Sequence, residues 1–289
     1  ANPSGRLEPV RVQLCGVRGS TPAPGPEFVR YGGNTACVAL SGDDDLVPTL
    51  LLDAGTGLRQ VTQLLNGQPF RGTILLSHLH WDHVQGLPFF TAGDSEGARV
   101  SLLMPEQAGG ASAEEVLALS MSPPHFPIRP DQLRGSWTFG TLPPGEATAG
   151  QFTVLALEIP HKGGTTYGYR VSDGRFAVAY LPDHCPTNLG PGPDGLGAYH
   201  EAALALAAGT DVLIHDASLL PEEVPAQASF GHAAADYAVG LAVLAGSRRV
   251  VLFHHGPCRT DTELDKLAGR MADAPVPVVV AAEREVLNL

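Results

Sequence analysis

The stretch "SHLHWDHVQG", residues 77–86, crowds three histidines and an aspartate into positions 78–83, directly after the apolar run "TILL" at 73–76. A packed core rejects that many polar groups unless each is partnered. In extended backbone, side chains at i and i+2 share a face, so His78 and His80 point the same way. If the chain turns into a helix at Asp82, then Asp82 and His83 aim in another direction. Two imidazoles then reach one metal ion, while a carboxylate and a third imidazole reach a second nearby. Borderline divalent ions take N and O ligands of this kind.

One such motif cannot fill two coordination shells, so further ligands are expected at other strand ends. His161 follows "FTVLALEIP", and Asp183 follows "RFAVAYLP" with two oxygens that can bridge a pair of ions. His254 follows "RVVLF", with His255 as its alternative. Each sits just past an apolar run, where open α/β sheets gather their chemistry.

Around these positions the chain alternates strand-like and helix-like text. "VRVQLCG", "ACVALSG" and "PTLLLDAG" read as strands, "TGLRQVTQLLNG" as a helix with a Gly stop, and "RVSLLM" as another strand. "SAEEVLALS" opens with a capping-box pattern, Ser112 followed by Glu115. In the second half "QFTVLALEIPH", "TTYGYRVS" and "RFAVAYLPD" read as antiparallel strands, and three helix–strand alternations and "EVLNL" follow. Strands first and alternation afterwards, in both halves, predict a mixed α/β (α+β) four-layer αβ/βα sandwich. Its two mixed sheets would pack face to face with helices outside. Residues 9–289 are expected to form one domain and residues 1–8 a flexible N-terminus. Residues 121–150, Pro-rich and aromatic, read either as a lid or pocket wall or as a surface connection.

Composition narrows the function. With 18 Lys and Arg against 30 Asp and Glu, the net charge of −12 disfavours a long nucleic acid as partner. A small anionic substrate is compatible with that charge if bound cations invert the local field. The four cysteines, Cys15, Cys37, Cys185 and Cys258, form no CxxC pair and read as reduced thiols. No apolar run is long enough to span a membrane, and "ANPSGRLEPV" lacks the form of a signal peptide, so the expected location is the cytoplasm.

The chain resembles the metallo-β-lactamase fold superfamily, and within it the ribonuclease Z and cyclic-nucleotide phosphodiesterase-like branch. The likeness is carried by "GVRGSTPAPGPEFVRYGGNTACV", "LLLDAGTGL", "SHLHWDH", "LIHDASL" and "FGHAAADYA", and runs from about residue 10 onward. The resemblance implies that His78, His80 and His161 hold one ion and that Asp82, His83 and His254 hold the other, with Asp183 bridging. It implies that Asp82 also orients the attacking water, and that Asp216 and His232 assist protonation of the leaving group. The tRNA-processing members differ in carrying a Lys-rich arm and another terminal segment where this chain reads "FHHGPCRTD". That difference, with the charge, points away from tRNA 3′ processing.

The expected activity is hydrolysis of a cyclic nucleotide or other small phosphodiester by two divalent ions, Zn2+ foremost with Mn2+ or Fe as alternatives, through a bridging hydroxide. Lactone, ester or thioester hydrolysis at the same site is the alternative, and an iron-dependent redox protein a third reading. A homodimer is compatible with the Ala/Leu-rich helices. Among the remaining residues, Asp53 reads as a turn former or a support behind the ligands, Asn34 as a turn former, and His184 and Cys185 as supports. His125, His200 and His215 read as structural, and Trp81 and Phe230 as packed, with stacking on a base as the alternative for each.

Overall fold

A computed structural model of the protein describes residues 10–42 and 47–289, so the N-terminus expected to be flexible lies outside the described residues. The chain begins with β1 (Arg11–Gly16), β2 (Cys37–Ser41), β3 (Leu50–Leu52), α1 (Leu58–Leu64), β4 (Arg71–Leu75) and α2 (Trp81–Val84). It continues with β5 (Arg99–Pro105), α3 (Ala113–Ala118), β6 (Ser136–Leu142), β7 (Gly145–Ala149), β8 (Phe152–Glu158), β9 (Tyr167–Ser172) and β10 (Ala177–Leu181). The last part holds α4 (Glu201–Ala207), β11 (Val212–Asp216), α5 (Val224–Gln227), α6 (Ala235–Ala245), β12 (Val250–Phe253), α7 (Asp261–Arg270), β13 (Val278–Val280) and β14 (Val286–Asn288).

Two sheets of seven strands result, ordered β14-β1-β2-β3-β4-β5-β6 and β13-β12-β11-β10-β9-β8-β7. Each is antiparallel at one end and parallel at the other. The parallel runs are β3 to β6 in the first sheet and β10 to β13 in the second. A core of Val, Leu, Phe and Tyr from the inner faces of both sheets fills the space between them, including Val12, Leu52, Tyr169, Tyr180 and Phe253. Two outer cores bury the opposite faces, one with Leu58 and Val61 of α1 and one with Leu206 of α4, Leu241 of α6 and Leu264 of α7. This is the four-layer sandwich the periodicities predict.

Local sequence explains the punctuation. Ser112 caps α3 by accepting from the Glu115 N–H while Glu115 reaches back, and Thr260 and Glu263 form the same box on α7. Two features were not legible in the sequence. The closing strand β14 crosses from the second half to pair with β1 in the first sheet. Residues 121–150 include β6 and β7, which form the two sheets' outer strands, so much of this segment is sheet rather than loop.

Two buried tyrosines of the second sheet stitch it to the first. The Tyr169 hydroxyl donates to the Leu76 carbonyl at 2.6 Å, and the Tyr180 hydroxyl donates to Asp53 Oδ2 at 2.8 Å. The Tyr167 N–H donates to the Ser77 carbonyl at 2.8 Å. The segment that enters the histidine motif is therefore fixed from across the core. Tyr169→Phe would leave the Leu76 carbonyl buried and unpaired, at about 1–3 kcal/mol. Urea unfolding should show that loss as a lower midpoint with an unchanged slope; an unaltered midpoint would contradict the stitch.

Candidate metal centre

The strand ends deliver seven polar side chains to one place. After β4 the backbone stays extended through His80, whose φ and ψ are −63° and 151°, and then turns into α2. The four side chains converge, and the His78 ring lies between those of His83 and His80, with centroids 4.2 and 4.4 Å away. His161 arrives after β8, Asp183 after β10 and His254 after β12.

The side chains converge closely. His78 Nε2 lies 2.9 Å from His80 Nδ1, and His161 Nε2 lies 3.2 Å from the same atom. His83 Nε2 lies 3.2 Å from Asp82 Oδ2, 2.9 Å from Asp183 Oδ2 and 3.3 Å from His254 Nε2. His254 Nε2 in turn is 3.1 Å from Asp82 Oδ2 and 3.2 Å from Asp183 Oδ2. Asp183 Oδ1 sits 3.6 Å from His161 Nε2, so its carboxylate spans both groups.

Hydrogen bonds on the far side of three of these rings fix where their protons sit. Asp53, fully buried, accepts from the Ser77 N–H at 2.6 Å and the Ser77 hydroxyl at 2.8 Å. The Ser77 hydroxyl has then given its proton away, and its contact of 3.0 Å with His78 Nδ1 makes that nitrogen the donor. His83 Nδ1 donates to Asp53 Oδ2 at 2.7 Å, and His161 Nδ1 donates to the Gly231 carbonyl at 2.8 Å. In neutral rings Nε2 of His78, His83 and His161 is left as a bare lone pair aimed into the cluster.

Lone pairs facing lone pairs need a cation. A single proton on His80 Nδ1 can serve only one of the two bare nitrogens facing it. Asp183 Oδ2 is buried and has no hydrogen-bond partner, although His83 Nε2 and His254 Nε2 lie 2.9 and 3.2 Å from it. Four overlapping groups of three donors can each enclose an ion: His78–His80–His161, His78–His83–Asp183, Asp82–His83–His254 and Asp183–His232–His254. The donor chemistry fits borderline divalent metals. The ion-free electrostatics agree. Burial lowers the basicity of His83, but Asp82, Asp183 and Asp53 outweigh it and hold the ring well above its ordinary range. Burial raises the acids Asp82 and Asp183, but the surrounding imidazoles keep both far below the usual carboxylate range. His78, surrounded by other imidazoles, is lowered by burial and by its neighbour His83.

Of the neighbouring pair, His254 faces the cluster and His255 does not. His254 adopts a left-handed φ of 58°, which swings its ring into the cluster, whereas His255 donates Nε2–H to the Ala281 carbonyl at 2.9 Å. The loop after β1 closes over this turn. A Cβ on Gly19 would lie 2.4 Å from the His254 ring, so only glycine fits, and the next N–H, of Ser20, donates to Asp82 Oδ2 at 2.7 Å.

Asp216 and His232 also meet, His232 Nδ1 at 3.0 Å from Asp216 Oδ2 and 3.6 Å from Asp183 Oδ1. Asp216 additionally accepts from the N–H groups of His184, Ser218 and Ala233. Burial lowers the His232 ring's basicity, yet Asp216 and the other carboxylates push it up to about 9. His184 thus supports Asp216 through its backbone, while its ring meets His215 at 3.0 Å. Asn34 binds Glu283 with its side-chain N–H at 2.9 Å and takes no part in the cluster.

The cluster forms the floor of a cavity of about 920 Å3 whose lining includes Trp81, Asp82, His161, Asp183, Phe230 and His232. The cavity's further walls come from residues 218–230 and 256–263, and none of 121–150 contributes. Trp81 and Phe230, expected to be packed, are 74% and 66% exposed. Gly19, Ser20, Tyr180 and Gly231 were not singled out by the sequence, because their contacts join segments far apart in the chain. Cys15, Cys37, Cys185 and Cys258 are free thiols, the first three buried. No helix of the described residues is long and apolar enough to cross a membrane.

Comparison with known proteins agrees with this architecture. Residues 49–255 match the family model of the beta-lactamase superfamily domain. A ribonuclease Z of Bacillus cereus is 26% identical over 264 residues, covering 77% of this chain and 83% of that protein. The metallo-beta-lactamase fold protein YhfI from Bacillus subtilis superposes with a TM-score of 0.72 at 20% identity, over 97% of this chain and 100% of that one. The short form of human tRNase Z superposes with a TM-score of 0.65 at 19% identity, over 96% and 98%. The chain belongs to the metallo-β-lactamase superfamily, in its ribonuclease Z and phosphodiesterase-like branch, and is a metal-dependent hydrolase.

Proposed function

We propose that the protein is a dinuclear phosphodiesterase acting on a small phosphodiester. His78 Nε2, His80 Nδ1 and His161 Nε2 would hold one ion, Asp82, His83 and His254 the other, and Asp183 would bridge them, with zinc foremost. The observation that carries the phosphodiester reading is the contact of 3.0 Å between His232 Nδ1 and Asp216, at the wall of the same cavity. A carbonyl ester with a good leaving group needs no such proton donor, whereas an alkoxide leaving phosphorus does.

Divalent ions, when bound, supply Lewis acidity that makes water a nucleophile at neutral pH and neutralises charge on the phosphoryl oxygens. The chain's own residues do the rest. Asp82, fixed by the Ser20 N–H, orients the attacking water. The water, having given up one proton to solvent, forms its O–P bond as the opposite P–O ester bond breaks. His232, charged and held through Nδ1 by Asp216, gives the proton on Nε2 to the departing alkoxide. The Asp53–His83 bond keeps the second ligand group in one tautomer. The relatives named for ribonuclease Z activity support phosphodiester chemistry. The net charge of −12 favours a small diester over tRNA.

Three measurements test this reading. Protein reloaded with Zn2+ or Mn2+ should hydrolyse bis(p-nitrophenyl) phosphate, lose that activity to chelator, and lose it with Asp82→Ala. No diester turnover beside rapid lactone hydrolysis would move the activity to carboxylic esters. His232→Ala should cost roughly 10²–10⁴-fold in kcat on diesters with alkyl leaving groups and far less on p-nitrophenyl esters; equal losses on both would remove its role as acid. Asp53→Asn should weaken metal affinity by roughly 10- to 100-fold while the chain stays folded, measured by competition with a chromogenic chelator; unchanged affinity would show that Asp53 does not position His83.

A further inference from the structure

The cavity's two exposed aromatic rings have no partner in the mechanism. Trp81 stands between His80 and Asp82 on the first turn of α2, with its indole 74% exposed. Phe230 stands two residues before His232, its ring 66% exposed. Both line the cavity over the cluster. Among the described residues neither ring stacks on another aromatic, unlike Trp137, which lies on Phe139 at 5.8 Å between centroids. Rings of this size left in water forgo burial that most aromatic side chains obtain. Their neighbours in sequence, by contrast, are held rigidly: Asp82 and His83 are buried, and Gly231 accepts from His161. The rings are thus presented from fixed backbone on segments far apart in the chain.

The charged groups in the same walls say what kind of ligand the rings face. Arg259 is the one arginine or lysine among the described lining residues, and it is already used. Its Nη2 donates to Glu223 at 2.6 Å and to the Ser218 carbonyl at 3.1 Å, and its side chain is 13% exposed. Glu263 adds a second carboxylate to the wall, occupied in capping α7. Beyond the metal cluster the cavity therefore offers apolar faces and carboxylates, with no spare cation for a second phosphate.

We infer that Trp81 and Phe230 are the specificity residues of the site, and that they receive a planar aromatic or heteroaromatic group attached to a single phosphate. The inference rests on the phosphodiesterase reading and narrows it. The substrate has one phosphate, seated at the cluster, and its ring lies against the indole and phenyl faces. For the flanking phosphates of a polynucleotide these lining residues offer only Arg259, which Glu223 already holds.

The test uses zinc-loaded protein and two monoesters that present the same phosphate, phenyl phosphate and methyl phosphate, with affinities measured by calorimetry. Phenyl phosphate should bind tighter by roughly 5- to 150-fold, the range that stacking on an aromatic side chain provides. Trp81→Ala and Phe230→Ala should each narrow that ratio toward 1, and Trp81→Phe should keep most of it. Metal content and melting temperature of each variant establish that the cluster is intact. Equal affinities for the two esters, or a ratio untouched by both alanine variants, would overturn the inference. So would a short oligonucleotide that binds more tightly than phenyl phosphate. Hydrolysis of bis(p-nitrophenyl) phosphate by the same preparation is read separately. A ring preference without diester turnover removes the phosphodiesterase reading and retains the subsite, and turnover without a ring preference does the reverse.

Discussion

The Asp53 carboxylate is fully buried, and four groups from three other places in the chain donate to it: the Ser77 N–H and hydroxyl, His83 Nδ1 and the Tyr180 hydroxyl. Burying a lone carboxylate costs several kcal/mol, so this one is tolerable only because charge-assisted bonds surround it. Those bonds join β3, the turn after β4, α2 and β10. Through Ser77 and His83 the same carboxylate dictates which nitrogen of His78 and of His83 keeps its proton. The fold and the protonation of the metal-facing rings are thus set by one group. Its φ of 59°, unusual for a residue with a side chain, is the backbone cost of aiming it inward.

From that anchor the rest of the site follows. With their outer nitrogens committed to donating, His78, His83 and His161 turn lone pairs toward one another and toward Asp183, whose Oδ2 has no hydrogen bond. Divalent cations satisfy such a convergence of lone pairs and carboxylates. The two halves of the sandwich contribute unequally. The first supplies the HxHxDH segment and its anchor. The second supplies Asp183, the remaining two histidines and the Asp216–His232 pair. Both deliver them from the C-terminal ends of strands, where neighbouring chain segments leave a crevice.

How far the sequence alone could reach depends on how local each signal is. His78, His80, Asp82 and His83 were legible because the change from extended chain to helix is local and the period of each state is known. His161, Asp183 and His254 were legible by position, each just past an apolar run. His254 could not be separated from His255, because the decision lies in a left-handed turn and in Gly19 packed against it from some 235 positions away. Asp53 was recognisable as a support but not as the common anchor, since Tyr180 reaches it only after the sheets stack. The Pro-rich segment 121–150 was open between a pocket wall and a surface connection: it carries the edge strands β6 and β7 and lines no part of the cavity. Trp81 and Phe230 went the other way. Aromatic residues are usually packed, and only the shape of the assembled cavity leaves these two open.

These converging donors would hold a pair of cations. The direct measurement is the metal-to-protein ratio of chain stripped with chelator, reloaded with zinc, freed of excess ion and analysed by mass spectrometry of the elements. The expected ratio is close to two, reduced when Asp183 is replaced by Ala. A ratio near zero in the folded protein would contradict it.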